Sequence, residues 1–135
     1  MLLKKDFEMA FSKLVADNPD VIITPFARVL FDTTRTLSSA LEFLQKLKEK
    51  LPDCHICAIG EQASFRPERT LSYPFVNSVV RFSAELTVKD LCLALQQGKK
   101  VDEVVGVLTK TNFQKRLNDK LWLRKLDSLA NFSLV

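Results

Sequence analysis

A regular alternation of short apolar runs with longer helical patterns constrains the fold of this chain more than any other feature. Four runs are rich in β-branched residues, and along the chain they read DVIITPF, CHICAIG, NSVVRF and VDEVVGVL. Short runs of this kind, bounded by Pro or Gly, are typical of buried strands. Because helical patterns separate most of these runs, the sequence predicts βα units and a mostly parallel sheet.

Three amphipathic patterns predict the main helices. The first lies at the N-terminus and is closed by Asn18, directly before a proline. The second covers residues 37–50, which are rich in Leu and end in several lysines. The third is ELTVKDLCLALQQG, in which Thr87 is the predicted N-cap and Gly98 the predicted end. Right-handed crossovers would place such helices on both faces of the sheet.

The predicted fold class is therefore α/β, with a three-layer α/β/α, Rossmann-like (flavodoxin-like) sheet. The length of 135 residues suits one domain with a single core. We assign residues 1–109 to this domain and residues 110–135 to a C-terminal extension, which has no helical period. The extension begins with a basic run over residues 110–125 that is short and carries no recognition motif, so we do not expect nucleic-acid binding.

The composition indicates a protein without membrane spans. No stretch approaches the roughly 18 consecutive apolar residues that a transmembrane helix needs. The N-terminal MLLKKDFEMAFSK places charges where a signal peptide needs an apolar region, so a cytoplasmic location is expected.

The inventory of reactive residues argues against catalysis by this chain alone. His55 is the single histidine and begins a predicted strand, which favours a structural role over Ser-His or Cys-His chemistry. Cys54 and Cys57 form a C-x-x-C, but strand residues three apart face opposite sides of a sheet, so we expect no metal site. No glycine-rich phosphate loop is present either.

The order and spacing of several short motifs carry a resemblance. They are NPDVIITPF, then ALEFLQKLKEKLPDCHICAIGEQAS, then RPERTL, then VNSVVRFSAELTVKDLCLALQQG, and finally LDSL. This series, from about residue 18 to residue 129, resembles the cobalamin-binding domain that precedes the catalytic barrel in one class of radical S-adenosylmethionine enzymes. The subgroup that includes the anaerobic chlorophyll-ring cyclase and the hopanoid enzymes looks most similar.

The resemblance implies a cofactor site at the carboxyl ends of the strands, where α/β sheets bind ligands. The residues that it places there are Thr24, Pro25, Phe26, Asp32, Gly60, Glu61, Ser64, Arg81 and Glu85. Five of them have a structural alternative: Gly60 as a turn residue, the hydroxyl groups of Thr24 and Ser64 as local caps, and Asp32 and Glu85 as helix-start carboxylates. No residue is assigned to a metal.

The departures from the family pattern define a competing hypothesis. The family's first strand with its Asp-x-His-x-x-Gly loop, the iron–sulfur cysteine triad C-x-x-x-C-x-x-C and the barrel have no counterpart here. Ile59 and Phe82 stand where the family has glycines. We expect no iron–sulfur cluster in this chain, and a partner chain, either a second copy or a radical S-adenosylmethionine protein, is implied. The alternative is a degenerate interaction module that binds no cofactor and pairs through the uncovered edge at residues 21–24.

Overall fold

The strands in the described part of the chain form one four-stranded sheet, and their order across the sheet follows their order along the sequence. The structure is a computed structural model, and it describes residues 4–26 and 33–118. Its elements are α1 (Lys4–Asp17), β1 (Val21–Pro25), α2 (Thr33–Lys50), β2 (His55–Ile59), α3 (Glu61–Phe65), α4 (Pro67–Leu71), β3 (Ser78–Val80), α5 (Glu85–Gln96), a 3-10 turn (Val101–Glu103), β4 (Val107–Thr109) and α6 (Phe113–Arg116).

The first three strands run parallel, and the fourth returns antiparallel to β3. Their register places Pro25 beside Ile59 and Cys57 beside Ser78. The carboxyl ends of β1, β2 and β3 therefore lie at the same edge of the sheet. The prediction of an α/β, mostly parallel, Rossmann-like sheet is confirmed.

One face of the sheet packs against the helices of the first two crossovers. Ile56 and Ala58 of β2 and Val79 of β3 are fully buried there with Leu44 of α2 and Leu71 of α4. Burial of each such Leu, Ile or Val stabilises the fold by about 1.5–3 kcal/mol. This core holds α3 and α4 against the sheet, beside its carboxyl edge.

The opposite face packs against α5. Cys57 and Val80 of the sheet contact Leu91 of α5 and Val107 of β4 in a second apolar cluster. Helices thus lie on both faces, which confirms the three layers. Helix α1 lies outside them, where Phe11 and other apolar side chains pack against Leu47 of α2.

Two helix ends follow the predicted signals. Asn18 adopts a left-handed conformation with φ 47°, and its N–H donates to the carbonyl oxygen of Leu14, so it closes α1. Gly98 has φ 70° and follows the last turn of α5. Both positions need the positive φ that Asn and Gly tolerate best.

The predicted N-cap at Thr87 is wrong. Helix α5 begins at Glu85 with Ala84 before it, and Thr87 is buried inside the first turn, 1% exposed. A Cβ built on Gly106 would lie 2.8 Å from the Thr87 Oγ1 atom, so this threonine packs under the loop that leads into β4.

The last predicted strand is shorter than its pattern indicated. Only Val107–Thr109 pair with β3, whereas Val101–Glu103 form a 3-10 turn. Val101 and Val104 still pack against the second apolar cluster. The pattern thus marked Val107 and Leu108 correctly as buried, whereas Val101 and Val104 are half-buried and Val105 is exposed.

No helix in the described ranges has the length and apolar character that spanning a membrane requires. The described chain continues past the assigned domain end at residue 109 into α6, which is a short helix in the stretch we predicted to be irregular. The rest of the assigned extension, residues 119–135, and the predicted loop containing Asp32 lie outside the described residues.

Candidate functional site

The carboxyl edge of the sheet brings together most of the residues predicted for a ligand site. The N–H of Phe26 donates to the carbonyl oxygen of Ile59 over 2.7 Å, and the carbonyl oxygen of Phe26 accepts from the N–H of Gln62 over 2.7 Å. These bonds extend the pairing of β1 with β2 past the strand ends. As a result Thr24, Pro25 and Phe26 lie beside the start of α3.

Gly60 makes the close backbone approach that the sequence suggested, but the chain itself occupies the space. Its φ is 94°, a backbone conformation that residues with a Cβ atom rarely adopt. A Cβ built here would lie 3.4 Å from the backbone nitrogen of Phe26. Gly60 therefore allows the ends of two strands to pack together, and it does not leave room for a ligand at this point.

Ser64 joins the ends of β2 and β3. Its hydroxyl donates to the carbonyl oxygen of Gly60 over 2.8 Å and accepts from the N–H of Phe82 over 2.7 Å. Its carbonyl oxygen accepts from Nε of Arg81 over 2.9 Å. With only 4% of its surface exposed, Ser64 has its polar atoms engaged within the fold.

An exposed aromatic pair, Phe65 and Phe82, lies next to this junction. The two rings meet edge to face with centroids 5.7 Å apart, and they are 72% and 49% exposed. Phe82 has φ 61°, which is strained for a residue with a Cβ. The guanidinium carbon of Arg81 lies 5.0 Å from the centre of the Phe82 ring, within the range of a cation–π contact.

Two cavities open at this edge in the described part of the chain. The first, the tyrosine cavity, has a volume of about 360 Å³, and its walls include Phe26, Glu61, Phe65, Arg66, Arg69 and Tyr73. The second, the arginine cavity, has a volume of about 570 Å³, and its walls include Phe65, Arg66, Glu68, Arg69, Arg81 and Leu117. Both volumes lie in the range of small-molecule sites.

The predicted site residues that the structure describes thus divide into four groups, the first of which, Thr24 and Pro25, lies beside the start of α3 and lines neither cavity. Phe26, Glu61 and Arg81 line the cavities. Gly60 and Ser64 hold strand ends together and are turned to internal contacts. Glu85 lies in the first turn of α5, whose buried Leu91 packs on the opposite face of the sheet, and this agrees with the helix-start alternative.

Sequence reasoning missed Arg66, Arg69 and Tyr73. The signal available was the spacing of two arginines on either side of Pro67, in a segment that was read only as a helical turn. Arg81, which follows β3, lines the same cavity as Arg66 and Arg69. The spacing of these residues in the sequence does not show that they lie together.

His55 lies at the opposite, amino end of β2 and not at the candidate site. Its Nε2 atom and the Ser78 hydroxyl are 2.8 Å apart in a hydrogen bond. Burial, together with the positive charge of Lys48, lowers the pKa of His55 to about 4. The imidazole is therefore neutral at pH 7 and structural, as its position in the sequence indicated.

The two cysteines of the C-x-x-C point away from each other, as predicted. Cys54 packs with Leu47 and Leu51 between α1 and α2, whereas Cys57 packs under α5. Burial raises the pKa of Cys57 to about 11. Within the described residues, no three His, Cys, Asp or Glu side chains are grouped to hold a metal ion.

The contacts of the predicted residues determine which of them are available to a cobalamin. Gly60 and Ser64 do not fit the roles that the resemblance gives them, because the fold uses both. Glu61 and Arg81 are available to such a ligand, because each lines a cavity at the expected edge, whereas the side chain of Phe26, also in a cavity wall, is only 5% exposed. Among the described residues, no histidine lies at this edge to bind cobalt, because His55 lies at the other end of its strand.

A scan against protein-family models found no match to this chain. A search of curated proteins likewise found no significant match.

Proposed function

We propose that this chain is a non-catalytic ligand-binding module of the cobalamin-binding type, acting in the cytoplasm beside a partner protein. The observation that supports it best is the position of the two cavities. Both open at the carboxyl ends of parallel strands, where α/β sheets take their ligands, and predicted site residues line both.

The part played by the chain would be binding alone. The aromatic ring of Phe65, which is 72% exposed, offers apolar surface to a large planar ligand, and Glu61 offers hydrogen-bond acceptors to its polar substituents. Bound cobalamin would supply organometallic chemistry to the partner enzyme. The described residues contribute no cobalt ligand at this edge, so affinity has to come from these wall contacts.

Titration of the purified protein with hydroxocobalamin tests this proposal. Binding should change the corrin absorbance, and the pigment should remain with the protein on a desalting column. Phe65→Ala should weaken retention, because Phe65 lines both cavities. Leu93→Ala, which removes an exposed apolar side chain of α5, is the matched control. Absence of any spectral change and of retention would reject cobalamin and leave only the fold.

A second candidate is an interaction module that pairs through a strand edge. Among the described residues, β1 has a neighbouring strand only on the side of β2. Its Ile22 and Ile23 are only half-buried, and open edges tend to pair with other chains. This hypothesis needs no cofactor, and it predicts a homodimer or a complex with another protein.

Light scattering over a range of concentrations tests the edge-pairing hypothesis. The fraction of dimer should rise with concentration and should fall in Val21→Lys, which places a charge on β1. Val105→Lys adds the same charge to an exposed apolar position in the loop before β4 and should leave the dimer unchanged. A monomer at every concentration would contradict pairing of two copies.

A further inference from the structure

We infer that the arginine cavity is an anion site that binds a phosphate group. Three guanidinium groups line it, from Arg66 between α3 and α4, from Arg69 on α4 and from Arg81 after β3. The walls of this cavity carry one carboxylate, that of Glu68. Three positive charges against one negative charge leave a net charge of +2 in this cavity.

Within the described residues, Arg66 and Arg69 form no ion pair, although Glu61 lies with both of them in the wall of the tyrosine cavity. The ion pair found within the described residues joins Lys46 to Glu42 on α2, far along the chain from this cavity. Neither Arg66 nor Arg69 donates a side-chain hydrogen bond to a described residue. Three guanidinium groups gathered around one carboxylate repel one another, and a bound anion reduces that repulsion.

Arg81 is held in place before any ligand arrives. Its Nε donates to the carbonyl oxygen of Ser64, and its Nη1 donates to the carbonyl oxygen of Leu117 over 3.4 Å. The cation–π contact with the Phe82 ring further restricts the guanidinium group of Arg81. A guanidinium held in this way loses little conformational entropy on binding, and its remaining N–H groups are free to donate to an oxyanion.

The chemistry of the walls favours phosphate over carboxylate. A phosphate monoester carries nearly two negative charges at pH 7 and several acceptor oxygens, which matches a cavity that holds three guanidinium groups and has a net charge of +2. The tyrosine cavity shares Phe65, Arg66 and Arg69 with this site. A group attached to the phosphate would therefore extend into the tyrosine cavity. This inference does not depend on cobalamin binding.

Isothermal titration at constant ionic strength tests the site with three probes: inorganic phosphate, a sugar phosphate and a mononucleotide. All three should bind, and tighter binding of the mononucleotide would indicate stacking in the tyrosine cavity. Arg69→Gln should weaken binding by about tenfold, because one charge-assisted hydrogen bond is lost. Lys99→Gln removes an equal charge from an exposed position after α5 and should not change the affinity.

Two results would overturn the inference. One is a lack of saturable binding by all three probes at millimolar concentrations. The other is an equal loss of affinity in Arg69→Gln and Lys99→Gln, which would indicate attraction by net charge alone. Circular dichroism establishes that each variant is folded, and Arg66→Gln, also an exposed arginine, repeats the test if Arg69→Gln does not fold.

Discussion

The hydroxyl of Ser64 accepts a hydrogen bond from the N–H of Phe82 over 2.7 Å, and through this bond the loop after β3 is tied to α3. The same hydroxyl donates to the carbonyl oxygen of Gly60. One buried side chain thus holds the ends of two strands at fixed positions beside both cavities. The strained backbone of Phe82, with φ 61°, depends on this tie.

We expect Ser64→Ala to lower the free energy of unfolding by about 1–3 kcal/mol, because it leaves the Phe82 N–H without its partner. Ser72→Ala is the matched control. It removes an exposed hydroxyl that bonds only within α4 and its end, and it should change stability by about 0.5 kcal/mol or less. Urea unfolding followed by circular dichroism measures both. Equal effects of the two substitutions would contradict the role of Ser64.

Gly60→Ala should destabilise the fold more than Gly98→Ala. Both glycines have positive φ, so both substitutions introduce backbone strain of order 1 kcal/mol. The backbone of Gly60, with φ 94° and ψ −164°, lies in a region that is essentially restricted to glycine, and a new Cβ there would be in van der Waals contact with the Phe26 backbone, whereas at Gly98 it meets no atom within 4 Å. Thermal unfolding of the two variants gives the comparison. A larger loss at Gly98 would contradict the greater strain expected at Gly60.

The order of strands and helices could be predicted from the sequence because it depends on local patterns. The runs around Ile22, Ile56 and Val79 are β-branched and bounded by Pro, Gly or polar residues, and all three became strands of the parallel part of the sheet. The errors in predicting element ends arose where tertiary contacts, rather than local sequence, determine where a helix or strand begins. Thr87 has the sequence context of an N-cap, yet packing beneath Gly106 places it inside the helix.

The candidate site was only partly predictable for a related reason. Residues at strand ends, such as Phe26 and Glu61, follow from topology, since the ends of parallel strands meet at one edge. Whether a residue there faces a ligand or the chain does not follow from topology. Gly60 and Ser64 turned out to contact other parts of the chain. Arg81 joins Arg66 in one cavity through the packing of α4 beside β3, which no short motif encodes.

Cys92 should be the fast-reacting thiol of the folded protein. It is half-buried on α5, whereas Cys54 and Cys57 are buried, and burial raises the pKa of both. Because the thiolate is the nucleophile and burial raises the pKa of Cys57 from 9.0 to about 11, Cys57 should react near pH 8 on the order of 100-fold more slowly than a thiol with the ordinary pKa. An aromatic disulfide reagent, followed by its absorbance, should show one rapid equivalent. Cys92→Ser should abolish it, and a rapid phase that persists in this variant would contradict the assignment.

Stability should decrease as the pH falls from about 6.5 to about 4, in part because of His55. In the unfolded chain a histidine has a pKa of about 6.5. In the folded protein burial, and to a lesser extent the charge of Lys48, lower the pKa of His55 to about 4. Between these values the unfolded state binds a proton that the folded state does not. The free energy of unfolding is therefore highest above pH 6.5 and falls with pH through this window.

Comparison with His55→Gln separates this effect from the titration of carboxylates, which is common to both proteins. The side chain is partly accessible to solvent, so we discount the full linkage and expect a difference on the order of 1–2 kcal/mol between pH 7 and pH 4. Gln retains a group that can hydrogen-bond the Ser78 hydroxyl, which His55 contacts over 2.8 Å. Urea unfolding at several pH values should give a shallower pH dependence for the variant. Parallel curves for the two proteins would show that His55 is protonated equally in the folded and unfolded states.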